Sequence, residues 1–271
     1  MSVHIAIKFT GISYYNNRKR KKKREKEMPK YRKKIWAGDI YEVEEFYCPR
    51  TVGKKYERGR NENLTSEEQE KRNLAIARKN LTRTINANFG KEDYFVLFTY
   101  DRIVTEEEAK KEMQNFFSRL KRWRKRNGFG EVKYIQVTET EGRVHHHVIL
   151  NGFDGFSLKE AREVLQSVWD RGLVKIKSLR KNQKDTKLAA YISKENIRKG
   201  AKRWTRSRNL KEPKVTIEQV KETKRKKEKP LHVPKGYELY IQTEDFFPEI
   251  GWVRYMKAIK KGGMDYGDCN D

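Results

Sequence analysis

Residues 132–150, VKYIQVTETEGRVHHHVIL, constrain this chain more than any other stretch. Two apolar-rich runs, 132–139 and 144–150, flank a short polar turn around Glu141 and Gly142. Each run is too short for a stable helix and is rich in β-branched residues, so the segment predicts a β-hairpin. A tight turn forces the two strands to run antiparallel. A sheet built around this hairpin is therefore mainly antiparallel, which argues against a doubly wound parallel fold.

The flanking pattern fills in that sheet. YFVLFTY, residues 94–100, reads as a buried strand, and LVKIK, residues 173–177, as a short one. Thr105 and the three glutamates after it suit a helix start. Ala109, Met113, Phe116, Leu120 and Trp123 mark that helix's apolar face, and Asn127 and Gly128 stop it. Ser157 or Leu158 begins a second helix, striped by Ala161, Val164, Leu165, Val168 and Trp169. A third covers roughly 185–198. An earlier one starts near Thr65, with Glu68 at capping-box spacing and Leu74, Ala77, Leu81 and Ile85 along one side. The expected fold is α+β, with helices packed on an antiparallel sheet.

Outside this core the signals thin. IYEVEEFY, within 35–56, suggests one strand, and residues 236–242 suggest another. Trp252, Tyr255 and Met256 suit docking of a last segment. The expected organisation is a basic, flexible arm over 1–34, a main domain with an N-terminal helical extension over 35–215, and a charged linker with a small extension over 216–271. The arm contains RKRKKKREKEMPKYRKK, whose like charges oppose compaction.

Charge sets the class of partner. The 271 residues carry 64 Lys and Arg against 38 Asp and Glu, a net charge of +26. A compact chain with that excess needs anions around it, and a polyphosphate is the natural one. No run approaches the roughly 20 apolar residues that cross a bilayer, so no membrane is expected. The two cysteines, Cys48 and Cys269, are too few for a disulfide framework, and a reducing cytoplasm is the expected compartment.

Three of the five histidines are consecutive, His145, His146 and His147. Strand alternation puts His145 and His147 on one face and His146 on the other. Two imidazoles on one rigid strand can hold a divalent metal if the neighbouring strand adds a ligand. A three-residue loop or a bulge brings Glu139 to that face, whereas a two-residue turn brings Gln136 or Thr138. Glu141, in the turn, is also within reach. Imidazole and carboxylate ligands suit Mg²⁺ or Mn²⁺, and residue type leaves zinc open.

On the helix KLAAYISKENIRK, Tyr191 and Lys194 lie three apart, and Lys187 lies four before Tyr191. A phenolate can attack a phosphodiester and keep the product covalently, and a nearby cation favours the phenolate. Lys121, Arg122 and Arg124, around Trp123, suit gripping of phosphates, as do Arg203, Arg206 and Arg208 beyond the tyrosine helix.

Residues 94–100, 134–150 and 191–194 (YISK), in that order, resemble the three motifs of HUH-type single-strand DNA endonucleases. The chain is most similar to the rolling-circle replication initiation proteins of bacterial plasmids and phages, over roughly residues 35–215. GDIYEVEEFY at 38–47 and AKRWTRSRNLKEP at 201–213 add to the likeness. The resemblance implies the HUH endonuclease fold, a ferredoxin-like or RRM-like antiparallel sheet of about five strands. It implies His145, His147 and Glu139 as metal ligands, Tyr191 as nucleophile and Lys194 as its companion. The implied act is nicking of single-stranded or hairpin origin DNA, leaving a 5′-phosphotyrosyl link. The motif holds one tyrosine, and no GxxxxGK[ST] loop is present, so unwinding and synthesis fall to a separate helicase and polymerase. The competing readings are a non-catalytic DNA- or RNA-binding protein and a related transposase or relaxase.

Overall fold

The computed structural model describes residues 28–48, 67–179, 204–220, 230–247 and 251–262. The elements are β1 (Lys30–Ala37), β2 (Ile40–Tyr47), α1 (Glu67–Asn88), β3 (Tyr94–Thr99), α2 (Glu106–Arg126), β4 (Tyr134–Glu139) and β5 (His145–Leu150). Then follow α3 (Leu158–Val168), β6 (Val174–Ser178), β7 (Thr205–Arg206), β8 (Lys214–Val220), β9 (Tyr237–Phe247) and β10 (Gly251–Lys260). The strands form two antiparallel five-stranded sheets, ordered β6-β3-β5-β4-β7 and β8-β1-β2-β10-β9. The α+β class expected from the hairpin holds, and the arrangement is compatible with the HUH endonuclease fold.

The first sheet is two-faced because its strands alternate. Tyr94, Val96 and Phe98 face α2 and α3, where Met113, Phe116, Leu120, Leu165 and Trp169 close the larger core. Phe95, Leu97 and Thr99 face the other way. On that second face Ile135, Val137 and Ile149 pack against Leu81 and Ile85 of α1. Each fully buried side chain of this size contributes roughly 1.5–3 kcal/mol. Both capping residues do what their spacing predicts. The Thr105 hydroxyl accepts from Glu108 N–H and the Ser157 hydroxyl from Glu160 N–H, with both glutamates reaching back to the cap backbone. Each cap contributes about 1 kcal/mol.

The second sheet departs from the sequence reading. IYEVEEFY is one arm of a hairpin whose other arm begins at Lys30, inside the tract read as a flexible arm. A two-residue turn at Gly38 and Asp39 joins them. Gly38 has φ +58°, and a Cβ there would lie 2.1 Å from the Asn86 carbonyl oxygen, so glycine is required on both counts. The basic side chains tolerate the strand because they alternate and meet acids: Arg32 pairs with Glu45, and Lys34 with Glu218. The tail is not a separate extension either, since β9 and β10 hydrogen-bond into the sheet through β2. Strand β8 has no counterpart among the expected elements. α1 lies between the sheets, with Leu81 and Ile85 on the first and Arg83 paired to Glu42 and Glu44 of the second.

Thr65 and the helix expected over 185–198 lie outside the described residues. Among the described residues, no helix is long and apolar enough to cross a membrane.

Candidate metal centre

The β4–β5 register decides the third ligand. Glu139 lies opposite His145, Thr138 opposite His146 and Val137 opposite His147. The loop is longer than a two-residue turn, so Glu139 shares a face with His145 and His147. Gln136 and Thr138 fall on the opposite face and bond His146 instead. Glu141 sits exposed in the loop, outside the cluster.

Glu139, His145 and His147 converge closely. His145 Nε2 lies 2.8 Å from Glu139 Oε2, His147 Nε2 lies 3.3 Å from the same oxygen, and the two imidazole nitrogens are 3.1 Å apart. Neighbouring ligands of an octahedral ion at about 2.1 Å stand about 3.0 Å apart. The three atoms already have that spacing, and their chemistry fits a divalent cation of the Mg²⁺ or Mn²⁺ kind. His145 Nδ1 lies 2.9 Å from the Arg143 carbonyl oxygen, to which it donates. That bond leaves the Nε2 lone pair pointed at the cluster. His147 is 4% exposed and stacks on Phe95, with ring centroids 5.8 Å apart and planes at 13°. The ligand side chains are thus held by packing as well as by the strand.

His146 occupies the other side of the strand and is fully buried. Its Nε2 is 2.8 Å from the Tyr100 hydroxyl and its Nδ1 is 2.9 Å from the Thr138 hydroxyl. Burial, reinforced by the two flanking imidazoles, depresses its pKa to about 3, so it is neutral at physiological pH. Burial likewise pushes the Tyr100 phenol well above its ordinary range. The pair is a neutral polar contact inside the larger core, on the far side from the metal ligands.

The cations expected to grip DNA separate into groups. Lys121 and Arg122 are exposed on α2, which covers the sheet face opposite the metal ligands. Arg124 is buried at 4% exposure, and its guanidinium donates to the carbonyls of Gly130, Asn151 and Gly152. That corrects its reading as a phosphate grip: its donors hold the α2 end to the loop after β5. Trp123 packs on Phe129 and Phe153 rather than standing free. Arg206 pairs in register with Ile135 and so lies on the ligand-bearing face, exposed and bonded to Glu212. Arg208 is exposed in the following turn. Tyr191, Lys194, Lys187 and Arg203 lie outside the described residues. The sequence reading passed over Lys175 and Lys177, which pair with Leu97 and Phe95 and therefore share the ligand-bearing face. The lysine alternation in LVKIK carried that signal.

Fold and site together define a class: an α+β protein whose central antiparallel strand offers two imidazoles to a cation, with a carboxylate from its neighbour. Residues 93–201 match a family model described as Replication-associated protein ORF2. That span runs from the start of β3 through the ligand hairpin to beyond Tyr191, and the match supports a replication-associated protein. None of the curated proteins matches the chain, and none of the solved structures does.

Proposed function

We propose that this chain is a metal-dependent single-strand DNA endonuclease and strand transferase that initiates replication. The observation that carries the reading is the convergence of Glu139, His145 and His147 within the span similar to replication-associated proteins. When bound there, a divalent cation neutralises charge on the phosphate oxygens.

The protein's own part is a transesterification. The Tyr191 phenolic oxygen bonds to phosphorus and the bond from phosphorus to the 3′ oxygen breaks. The phenol gives up its proton and the departing 3′ hydroxyl gains one. One phosphodiester is exchanged for another, so attack by a 3′ hydroxyl reverses the step and rejoins strands. Lys194 and Lys187 favour the phenolate. Leu179 and Trp204, which flank the segment containing Tyr191, both pack in the cluster on the ligand-bearing face. That the two flanks meet on the ligand side of the sheet supports the reading. Arg206, Arg208 and Arg203 serve to position the strand, and Lys121 and Arg122 add affinity at a distance from the reaction. Single-stranded DNA or an origin hairpin is the substrate, and a separate helicase and polymerase complete replication.

The test is incubation of the full chain with labelled random-sequence single-stranded DNA and Mn²⁺, then denaturing electrophoresis and peptide mapping. A covalent DNA adduct at Tyr191, lost in Tyr191→Phe, is expected. Equal cleavage by Tyr191→Phe and the parent ends the nucleophile assignment. Binding without any cleavage by the parent makes the protein a non-catalytic nucleic-acid binder.

A further inference from the structure

A cleft of about 690 Å³ opens beside His145. That volume falls within the roughly 300–1,000 Å³ of small-molecule sites. Its walls come from Thr99 and Asp101 at the end of β3, Arg143 and His145 at the start of β5, and Leu173 and Lys175 at the start of β6.

Its frame is backbone rather than mobile side chain. A Cβ at Gly172 would lie 2.2 Å from the Thr99 carbonyl oxygen, so the two backbones meet directly. Thr99 N–H donates to the Leu173 carbonyl at 3.0 Å, and Trp169 Nε1 donates to the Thr99 carbonyl at 3.0 Å. Gln166 Nε2 donates to the Gly172 carbonyl, and Gln166 Oε1 accepts from Val174 N–H. A site on such a frame holds its shape before a ligand arrives.

Charge gives the cleft a direction. Arg143 and Lys175 are exposed, and among the described residues neither forms an ion pair. Arg32, Arg83 and Arg171, in contrast, are neutralised by acids. Arg143 Nη2 donates to the Tyr100 carbonyl at 3.1 Å, which steadies the guanidinium at the rim. Lys175 shares the ligand-bearing face, one strand beyond the Leu97–His147 pair. An anion entering beside His145 therefore meets two cations. Asp101 lines the cleft as well, and its carboxylate repels phosphate but accepts N–H donors.

We infer that this cleft seats one nucleotide of the single-stranded substrate, next to the phosphate that is cut. Arg143 and Lys175 hold that nucleotide's phosphate, and Asp101 accepts from the donor edge of its base. The inference rests on the nuclease reading above and adds a specificity subsite to it.

The test uses the full chain, Mn²⁺ and random-sequence single-stranded DNA, with the ends at each nick sequenced. The parent nicks with a base preference beside the cut. The double variant Arg143→Gln, Lys175→Gln raises KM about 10-fold or more, as expected for lost charged hydrogen bonds. Its kcat and its Mn²⁺ affinity by calorimetry stay at the parent's values. Asp101→Asn alters base preference at a single position adjacent to the nick. No nicking by the parent overturns the nuclease reading itself. Nicking by the parent, with KM and base preference unchanged in all variants, overturns the cleft assignment and leaves that reading standing.

Discussion

The two sheets have the same number of strands but use ionisable groups in opposite ways. In the second sheet each buried acid has a permanent cation. Glu45, 1% exposed, meets Lys30 at 3.3 Å, Arg32 at 2.6 Å and Arg254 at 3.1 Å. Glu42 meets Arg83 at 2.5 Å. In the first sheet the partners of Glu139 are two imidazoles, whose charge is optional. A carboxylate beside arginine is neutralised for good and serves structure. A carboxylate beside neutral imidazoles keeps its lone pairs for an incoming cation. The contrast separates a site from a scaffold even though both are rich in charge.

Four measurements break or sharpen that contrast. The largest effect falls on cleavage. Tyr191→Phe is expected to lower strand cleavage about 10³-fold or more while DNA binding by anisotropy is retained, because the attacking oxygen is removed. Cleavage within tenfold of the parent would refute it.

Metal affinity comes next. His147→Ala or Glu139→Ala should weaken Mn²⁺ binding by about 100-fold in calorimetry. Gln136→Ala, on the opposite face, should leave it unchanged. Similar losses in Glu139→Ala and Gln136→Ala would mean that the register argument is wrong.

On the scaffold side, Glu45→Ala strands three cations and should cost about 3–5 kcal/mol in urea unfolding, without changing Mn²⁺ affinity. A loss of metal binding at constant stability would contradict the division of labour.

The smallest effect is in pH. Burial alone would raise the Glu44 pKa, but Lys79 and Arg83 outweigh it and hold the carboxyl at about 2, against an ordinary 4.5. A depressed folded-state pKa contributes stability that is complete above pH 4.5 and is lost as pH falls towards 2. The partly exposed Lys79 screens the contribution, leaving on the order of 2 kcal/mol. Acid titration of urea stability should show this loss in the parent and a weaker one in Glu44→Gln. Identical titrations would remove Glu44 from the account.

The first sheet was largely legible because its information is local. Thr105 and Ser157 announce helix starts within three residues, and Tyr94–Thr99 shows its buried alternation in six. The second sheet was not, for two reasons. KYRKKIWA alternates correctly, yet its charge density reads as repulsion until Glu45 and Glu218 are known to face it. Its partners are also remote, since Lys33 pairs with Ile217. Arg124 failed for a related reason: a basic helix end looks solvated until carbonyls from the loop after β5 arrive around it.

For the site itself, sequence alone determined that His145 and His147 share a face, because strand alternation is a property of the backbone. It left Glu139, Gln136 and Thr138 as rivals for the third position. Tertiary structure chose Glu139, since only the strand register says which carboxylate crosses to the imidazoles. It also set Lys121 and Arg122 apart from the ligands and brought Lys175 to their side. Which face of a sheet a residue shares with a distant strand depends on pairing, and pairing is a free-energy choice of the whole chain rather than of any segment.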